Sequence, residues 1–131
     1  MITGLTFASG KAELARAALE AMAHQTNDLA EAFAADGTGW GTLRIDGGMA
    51  ANDWMAQDLA DVLGVPVERP AFVETTALGA AMLAAAGVGL YPDVASAAEA
   101  MRGELKTFTP NMDDQVRQER LERWKKALAA A

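Results

Sequence analysis

The segment RIDGGMAAND, from Arg44 to Asp53, passes from branched, strand-favouring residues through two adjacent glycines directly into small, helix-compatible ones. No stretch is left over for an ordinary loop. A strand joined this tightly to a helix, with the extended segment VPVER (Val65 to Arg69) following that helix, confines the chain to an α/β layer arrangement with parallel strands and right-handed crossovers. The same junction sets open backbone N–H groups and the positive end of a helix at the carboxyl edge of a strand, where α/β folds take ligands. Gly47 and Gly48 lack the Cβ atoms that would keep a flat ring or a phosphate off the backbone. Asn52 lies about one helical turn beyond Gly48, so its amide can offer a donor and an acceptor to the same face. Taken alone, Asp-Gly-Gly is also an ordinary tight turn and meets neither the Rossmann nor the P-loop spacing. Asp46 remains open between a helix cap, a turn residue and a second-shell magnesium partner.

Around this junction the order of elements is helix, strand, helix, strand, helix and a helical tail. The spacing predicts a helix from Lys11 to Asp36, capped by Ser9 and ended by Gly37, with Ala15, Leu19, Met22, Thr26, Leu29 and Phe33 on its buried stripe. His24 falls off that stripe and reads as a solvated residue rather than a proton shuttle. A strand is expected from Trp40 to Asp46. The following helix, from Ala50 to Gly64, turns Ala51, Trp54, Met55, Leu59 and Val62 inward and Gln57, Asp58 and Asp61 outward. Pro66 cannot donate to a ladder and so marks an edge or the entry to the next strand. Thr75 or Thr76 caps a further helix, Asp93 a short one from Val94 to Met101, and Asp113 or Asp114 the last. Leu105 to Thr109 is a short extended stretch. On the last helix, Val116, Leu121, Trp124 and Leu128 form the apolar face, and the basic residues from Arg117 to Lys126 read as a solvated face rather than a binding patch.

A length of 131 residues is one domain's worth, and no repeat or long linker divides it. The net charge of −7 argues against nucleic acid and anionic membranes as partners. A bound nucleotide stays compatible, since backbone amides hold phosphates without net positive charge. The absence of cysteine excludes a disulfide framework and a thiol nucleophile, and the composition suits the cytoplasm. The apolar run from Ala77 to Tyr91 is shorter than the roughly 18–20 residues of a membrane span and reads as a buried helix. Two main strands are few for a self-sufficient sheet.

From Leu43 to Ala84 the sequence LRIDGGMAANDWMAQDLADVLGVPVERPAFVETTALGAAMLA closely resembles the carboxyl-terminal domain of the FGGY family of carbohydrate kinases, in its glycerol kinase branch. The resemblance rests on Asp-Gly-Gly with a following Asn, then Leu-Gly-x-Pro-Val-Glu-Arg-Pro, then Glu-x-Thr-Ala-Leu-Gly-Ala-Ala, all in order. It extends through GLTFASGKAELARAALEAMAHQTNDLAEA on one side and, more loosely, GLYPDV and WKKAL on the other. It implies a partial actin-like, ribonuclease-H-like fold, with residues 1–131 as the last part of the carboxyl-terminal domain. Gly48 and Asn52 match positions that contact the adenosine part of ATP or ADP, Gly47 completes the turn, and the helix from Thr76 to Ala86 backs it by close packing. ATP with Mg2+ is the implied cofactor. The phosphate loop, the catalytic aspartate and the glycerol contacts have no match in this chain, so the chain alone is expected to be inactive and to meet glycerol only through the absent part. Strands expected beside Thr42–Asp46 are absent too, which implies an exposed edge and a homo-oligomer. A non-enzymatic oligomerising or nucleotide-sensing module, and a segment of another FGGY sugar kinase, are the alternatives.

Overall fold

The computed structural model describes residues 1–130. In chain order they form α1 (Lys11–Ala35), β1 (Leu43–Arg44), a 3-10 turn (Gly48–Ala51), α2 (Asp53–Leu63), β2 (Val67–Pro70), α3 (Thr75–Gly87), α4 (Val94–Met101), β3 (Leu105–Phe108) and α5 (Asp114–Ala129). β1 and β2 are parallel, with Leu43 opposite Val67, as a crossover through α2 requires. β3 joins antiparallel on the other side of β2, from Val67 opposite Phe108 to Pro70 opposite Leu105. β2 is therefore the central strand, and of the two readings of Pro66, edge or strand entry, the strand entry is the one the structure has. Pro66 stands just before the strand, where only its carbonyl is used, accepting from Leu43 N–H at 2.9 Å. β1 is the edge. It is far shorter than Trp40–Asp46, because only its β2 side has a partner among the described residues.

The core is centred on α2. Ala56, Leu59, Ala60, Val62 and Leu63 pack with Ala23 of α1, Val67 of β2, Phe108 of β3 and Leu121 of α5. α1, the sheet and α5 all lean on α2, which explains why its polar side is buried as well. Asp58 and Asp61, expected outward, are 5% and 8% exposed. Each is satisfied where it lies. Asp58 accepts from both Nη1 and Nη2 of Arg120, at 2.6 and 3.1 Å, and Asp61 accepts from Asn111 N–H at 2.8 Å and Gln57 Nε2 at 2.9 Å. Arg117 donates to the carbonyls of Val62 and Leu63, at 2.8 and 3.2 Å, closing the carboxyl end of α2. The chain leaves α2 through Gly64 in the left-handed conformation, where the Arg117 guanidinium would lie 3.2 Å from a Cβ. Arg117 and Arg120 are thus tied into the core and not part of a solvated face.

α1 is rotated from its expected orientation. Its buried residues are Ala23, His24 and Asn27, while Leu29 and Phe33 of the expected stripe are exposed. His24 is buried, its ring stacked on Trp124 of α5 with centroids 5.2 Å apart, and the Trp124 indole N–H donates to Asp28 at 2.7 Å. Small Ala23 against Ala56 and Ala60 lets α1 and α2 approach closely. Ser9 does not cap α1. Its hydroxyl accepts from Thr6 N–H at 2.9 Å, and the helix starts instead at Gly10, whose N–H donates to Glu13 at 2.8 Å. The caps at Asp93 and Asp113 are as expected, each side chain accepting from amides of its own first turn.

The segment from Ala77 to Tyr91 is not buried in this chain. Of α3 only Ala85 is buried, and the helix packs mainly on α4. It does not back the glycine turn by close packing. No helix among the described residues is long and apolar enough to cross a membrane.

Candidate nucleotide site

At the carboxyl end of β1, Ile45 N–H still donates to Glu68 O at 2.9 Å, and the chain then leaves the sheet. Gly47 has φ 84° and ψ 171°, a region almost reserved for glycine. Its N–H donates to Val73 O at 2.9 Å, tying the turn to the segment after β2, and its carbonyl accepts from Ala50 N–H at 3.0 Å to open the 3-10 turn. The Thr75 hydroxyl donates to Asp46. Asp46 is therefore a turn residue held by α3, and Thr75 is a tether rather than a cap. A Cβ on Gly47 or Gly48 would meet no atom within 4 Å. Both glycines face open space. The amides of Gly48 and Met49, at the start of the 3-10 turn, have no carbonyl partner among the described residues.

Asn52 follows the turn, but its side chain has a structural task. Helix α2 begins at Asp53 rather than Ala50, and Asn52 Oδ1 caps it, accepting from Trp54 N–H at 3.0 Å and Met55 N–H at 3.2 Å. Of the donor and acceptor expected from Asn52, the acceptor is engaged. The Nδ2 group makes no hydrogen bond among the described residues. Gly47, Gly48 and Asn52 thus lie within one short turn at the strand's carboxyl edge.

Asp53 and Arg69 complete the surroundings. Arg69 Nη2 lies 2.8 Å from Asp53 Oδ1, and Lys106 Nζ lies 2.5 Å from Oδ2. The hydrogen bonds from Lys106 and Arg69 hold the Asp53 carboxyl below its ordinary pKa, so it stays ionised between two cations. A cleft of about 530 Å³ beside the turn is lined by Ala51, Arg69, Val73 and Lys106, among others. Sequence reading missed Arg69 as part of this site. Its only signal is a basic residue near the end of a short strand, which does not say where the guanidinium reaches.

The FGGY family of carbohydrate kinases, C-terminal domain, matches residues 1–88. The chain belongs to this family. As an FGGY chain it is 50% identical over 132 residues to the glycerol kinase of Roseobacter denitrificans, covering 98% of this chain and 26% of the relative. It is 54% identical over 129 residues to that of Methylobacterium nodulans, covering 95% and 26%. Plasmodium falciparum glycerol kinase, solved with ADP, superposes with a TM-score of 0.81 at 32% identity, over 99% of this chain and 26% of that one. The xylulose kinase of Rhodospirillum rubrum gives 0.71 at 29% identity, over 98% and 26%. The FGGY chain therefore spans about a quarter of the length of the curated relatives it matches, at 26%. Its fold is the corresponding portion of the actin-like kinase fold.

Proposed function

We propose that this chain is the carboxyl-terminal nucleotide-binding segment of an ATP-dependent glycerol kinase, in which Gly47, Gly48 and Asn52 form the floor beneath the adenosine of ATP or ADP. The turn carries the reading. Two adjacent glycines open onto empty space at the end of a strand, one of them in a conformation that excludes other residues, and the free Asn52 Nδ2 lies one turn on. Glycerol as the acceptor is supported by relatives at 50% and 54% identity, and by the better superposition of the glycerol kinase than of the xylulose kinase, 0.81 against 0.71.

In the complete reaction a glycerol hydroxyl oxygen bonds to the γ-phosphorus, the bond to the β,γ-bridging oxygen breaks, and the hydroxyl proton passes to a base, giving glycerol 3-phosphate and ADP. The base, the phosphate cradle and the glycerol contacts belong, in this reading, to protein outside this chain. The isolated chain is therefore inactive. Among the described residues no three His, Cys, Asp or Glu side chains gather to hold a metal, and in this reading the Mg2+ that accompanies ATP is held by the nucleotide and by protein outside this chain. The cysteine-free composition supports the cytoplasm as the compartment. The exposed apolar residues of α1 and α3 support self-association of the isolated chain.

Titration of the 131-residue chain with ADP, in wild type and Asn52→Asp, tests the assignment. Aspartate keeps the capping oxygen and removes the Nδ2 donor, so thermal stability holds while ADP affinity falls about tenfold. Equal affinity in the two proteins would remove Asn52 from the site.

A further inference from the structure

The turn that carries Gly48 and Asn52 is weak in its own right. It is a four-residue 3-10 turn, entered by Ala50 N–H donating to Gly47 O at 3.0 Å and left by Asn52 N–H donating to Met49 O at 3.2 Å. Geometry of that kind is poor and does not fix a short segment unaided. On the strand side, Val73 O and Thr75 hold Gly47 and Asp46. On the helix side the holding group is Arg69.

Arg69 leaves the end of β2 with its side chain only 13% exposed, and its guanidinium lies 5.3 Å from the ring centroid of buried Phe108. Nη1 donates to Ala50 O at 2.6 Å, and Nη2 lies 2.8 Å from Asp53 Oδ1. The planar fork thus bridges residues 50 and 53 and straddles Asn52 between them. Lys106 holds the other Asp53 oxygen and keeps the carboxylate in place. Neither contact of Arg69 is to Gly47, Gly48 or the Asn52 side chain. A lysine offers a single charged centre and cannot reproduce two fixed N–H directions.

We propose that Arg69 is a positioning residue for the nucleotide floor: by clamping Ala50 and Asp53 it presents Gly48 and Asn52 in one geometry and so sets ADP affinity through the turn. The nucleotide part of this inference rests on the reading given under Proposed function, whereas the clamp does not.

Two measurements on the 131-residue chain separate them, each on wild type, Arg69→Met and Arg69→Lys. The first is amide hydrogen exchange without nucleotide. Exchange at Ala50 and Asn52 rises about tenfold in both variants, while the Ala60 and Leu63 amides of α2 keep wild-type protection. Unchanged exchange at Ala50 and Asn52, or a rise shared equally by Ala60 and Leu63, overturns the clamp, because the latter is what a general loss of stability produces. Should Arg69→Met fail to fold, Arg69→Lys decides, since it keeps the charge and one contact. The second measurement is ADP titration at a temperature where all three proteins are folded. Affinity drops about tenfold in both variants. Wild-type affinity in a variant whose turn has loosened overturns the inference. Absence of ADP binding in the wild type, with the turn loosened in the variants, removes the nucleotide reading and leaves the clamp standing.

Discussion

Helices α2 and α3 are separated by one short strand and fold under opposite circumstances. α2 carries Asp53, Asp58 and Asp61 within 11 residues, yet eight of its residues are buried. α3 has 13 residues, none charged, yet buries only Ala85. Composition alone would reverse that order. α2 is enclosed because α1, the sheet and α5 each supply a surface to it, and two of its carboxylates find donors there. α3 has α4 on one side and little else, so its alanines and Leu83 face outward. Burial is decided by what surrounds a helix, and among the described residues little besides α4 surrounds α3.

The largest effect that would sharpen this contrast is at Asp58. Its pair with Arg120 is buried and bidentate, so Asp58→Ala strands a guanidinium in the core and costs about 3–5 kcal/mol. Since a domain of this size holds only about 5–15 kcal/mol in total, urea unfolding should begin near zero denaturant in this variant. A midpoint shift corresponding to less than about 1 kcal/mol would mean that the pair behaves as an exposed one.

Next in size is a comparison within the turn. Gly47→Ala forces a side chain into a backbone region almost reserved for glycine and costs about 1–3 kcal/mol. Gly48→Ala, at ordinary φ and with nothing within 4 Å of the added methyl, leaves the melting temperature unchanged. Similar melting temperatures for the two variants would show that the turn relaxes out of its present conformation.

Features written locally in the chain are legible from it. The glycine turn, the end of α2 at Gly64, and the caps at Asp93 and Asp113 depend on a few neighbouring residues, and the structure has them as expected. Even Asn52 had a local signal, as a capping residue directly before Asp53 and Trp54, although it was read for a ligand instead. Which face a helix buries is not local. His24 and Asp28 are set by Trp124, 96 positions after Asp28, and Asp58 by Arg120, 62 positions on. Polar residues that meet a distant partner look solvated until the partner is placed. The site shows the same division: Gly47, Gly48 and Asn52 lie in one segment, whereas Arg69 reaches the turn from another strand.

A smaller effect concerns pH. Burial, together with nearby Arg120, pushes the His24 imidazole below its ordinary 6.5, while Asp58, Glu20 and Asp28 pull weakly the other way. The folded chain then binds fewer protons at this ring than the unfolded chain, so unfolding free energy rises with pH across the interval. The contribution is fully present above 6.5 and is lost as pH falls from 6.5 through the folded-state value. His24→Phe retains a flat ring against Trp124 but cannot titrate. Melting curves between about pH 7.5 and pH 5.5 should therefore fall less steeply for the variant than for wild type. Parallel declines would assign the acid sensitivity to other groups.

The smallest stability effect is expected on α3, where it tests the contrast most directly. Leu83 is 61% exposed, so Leu83→Ser removes almost no buried area and should change unfolding free energy by no more than about 0.5 kcal/mol. Its effect should fall on association instead. Leu83, Val88 and Leu90, 61%, 75% and 74% exposed, lie close together in the chain and leave apolar surface uncovered. If copies of the isolated chain bury that surface against one another, light scattering at tens of micromolar, roughly the range where a weak apolar contact is populated, gives a lower mass for Leu83→Ser than for wild type. A stabilityloss of several kcal/mol, of the order found for a core leucine, would instead mean that α3 is covered within the single chain in solution, and the opposition between α2 and α3 would disappear.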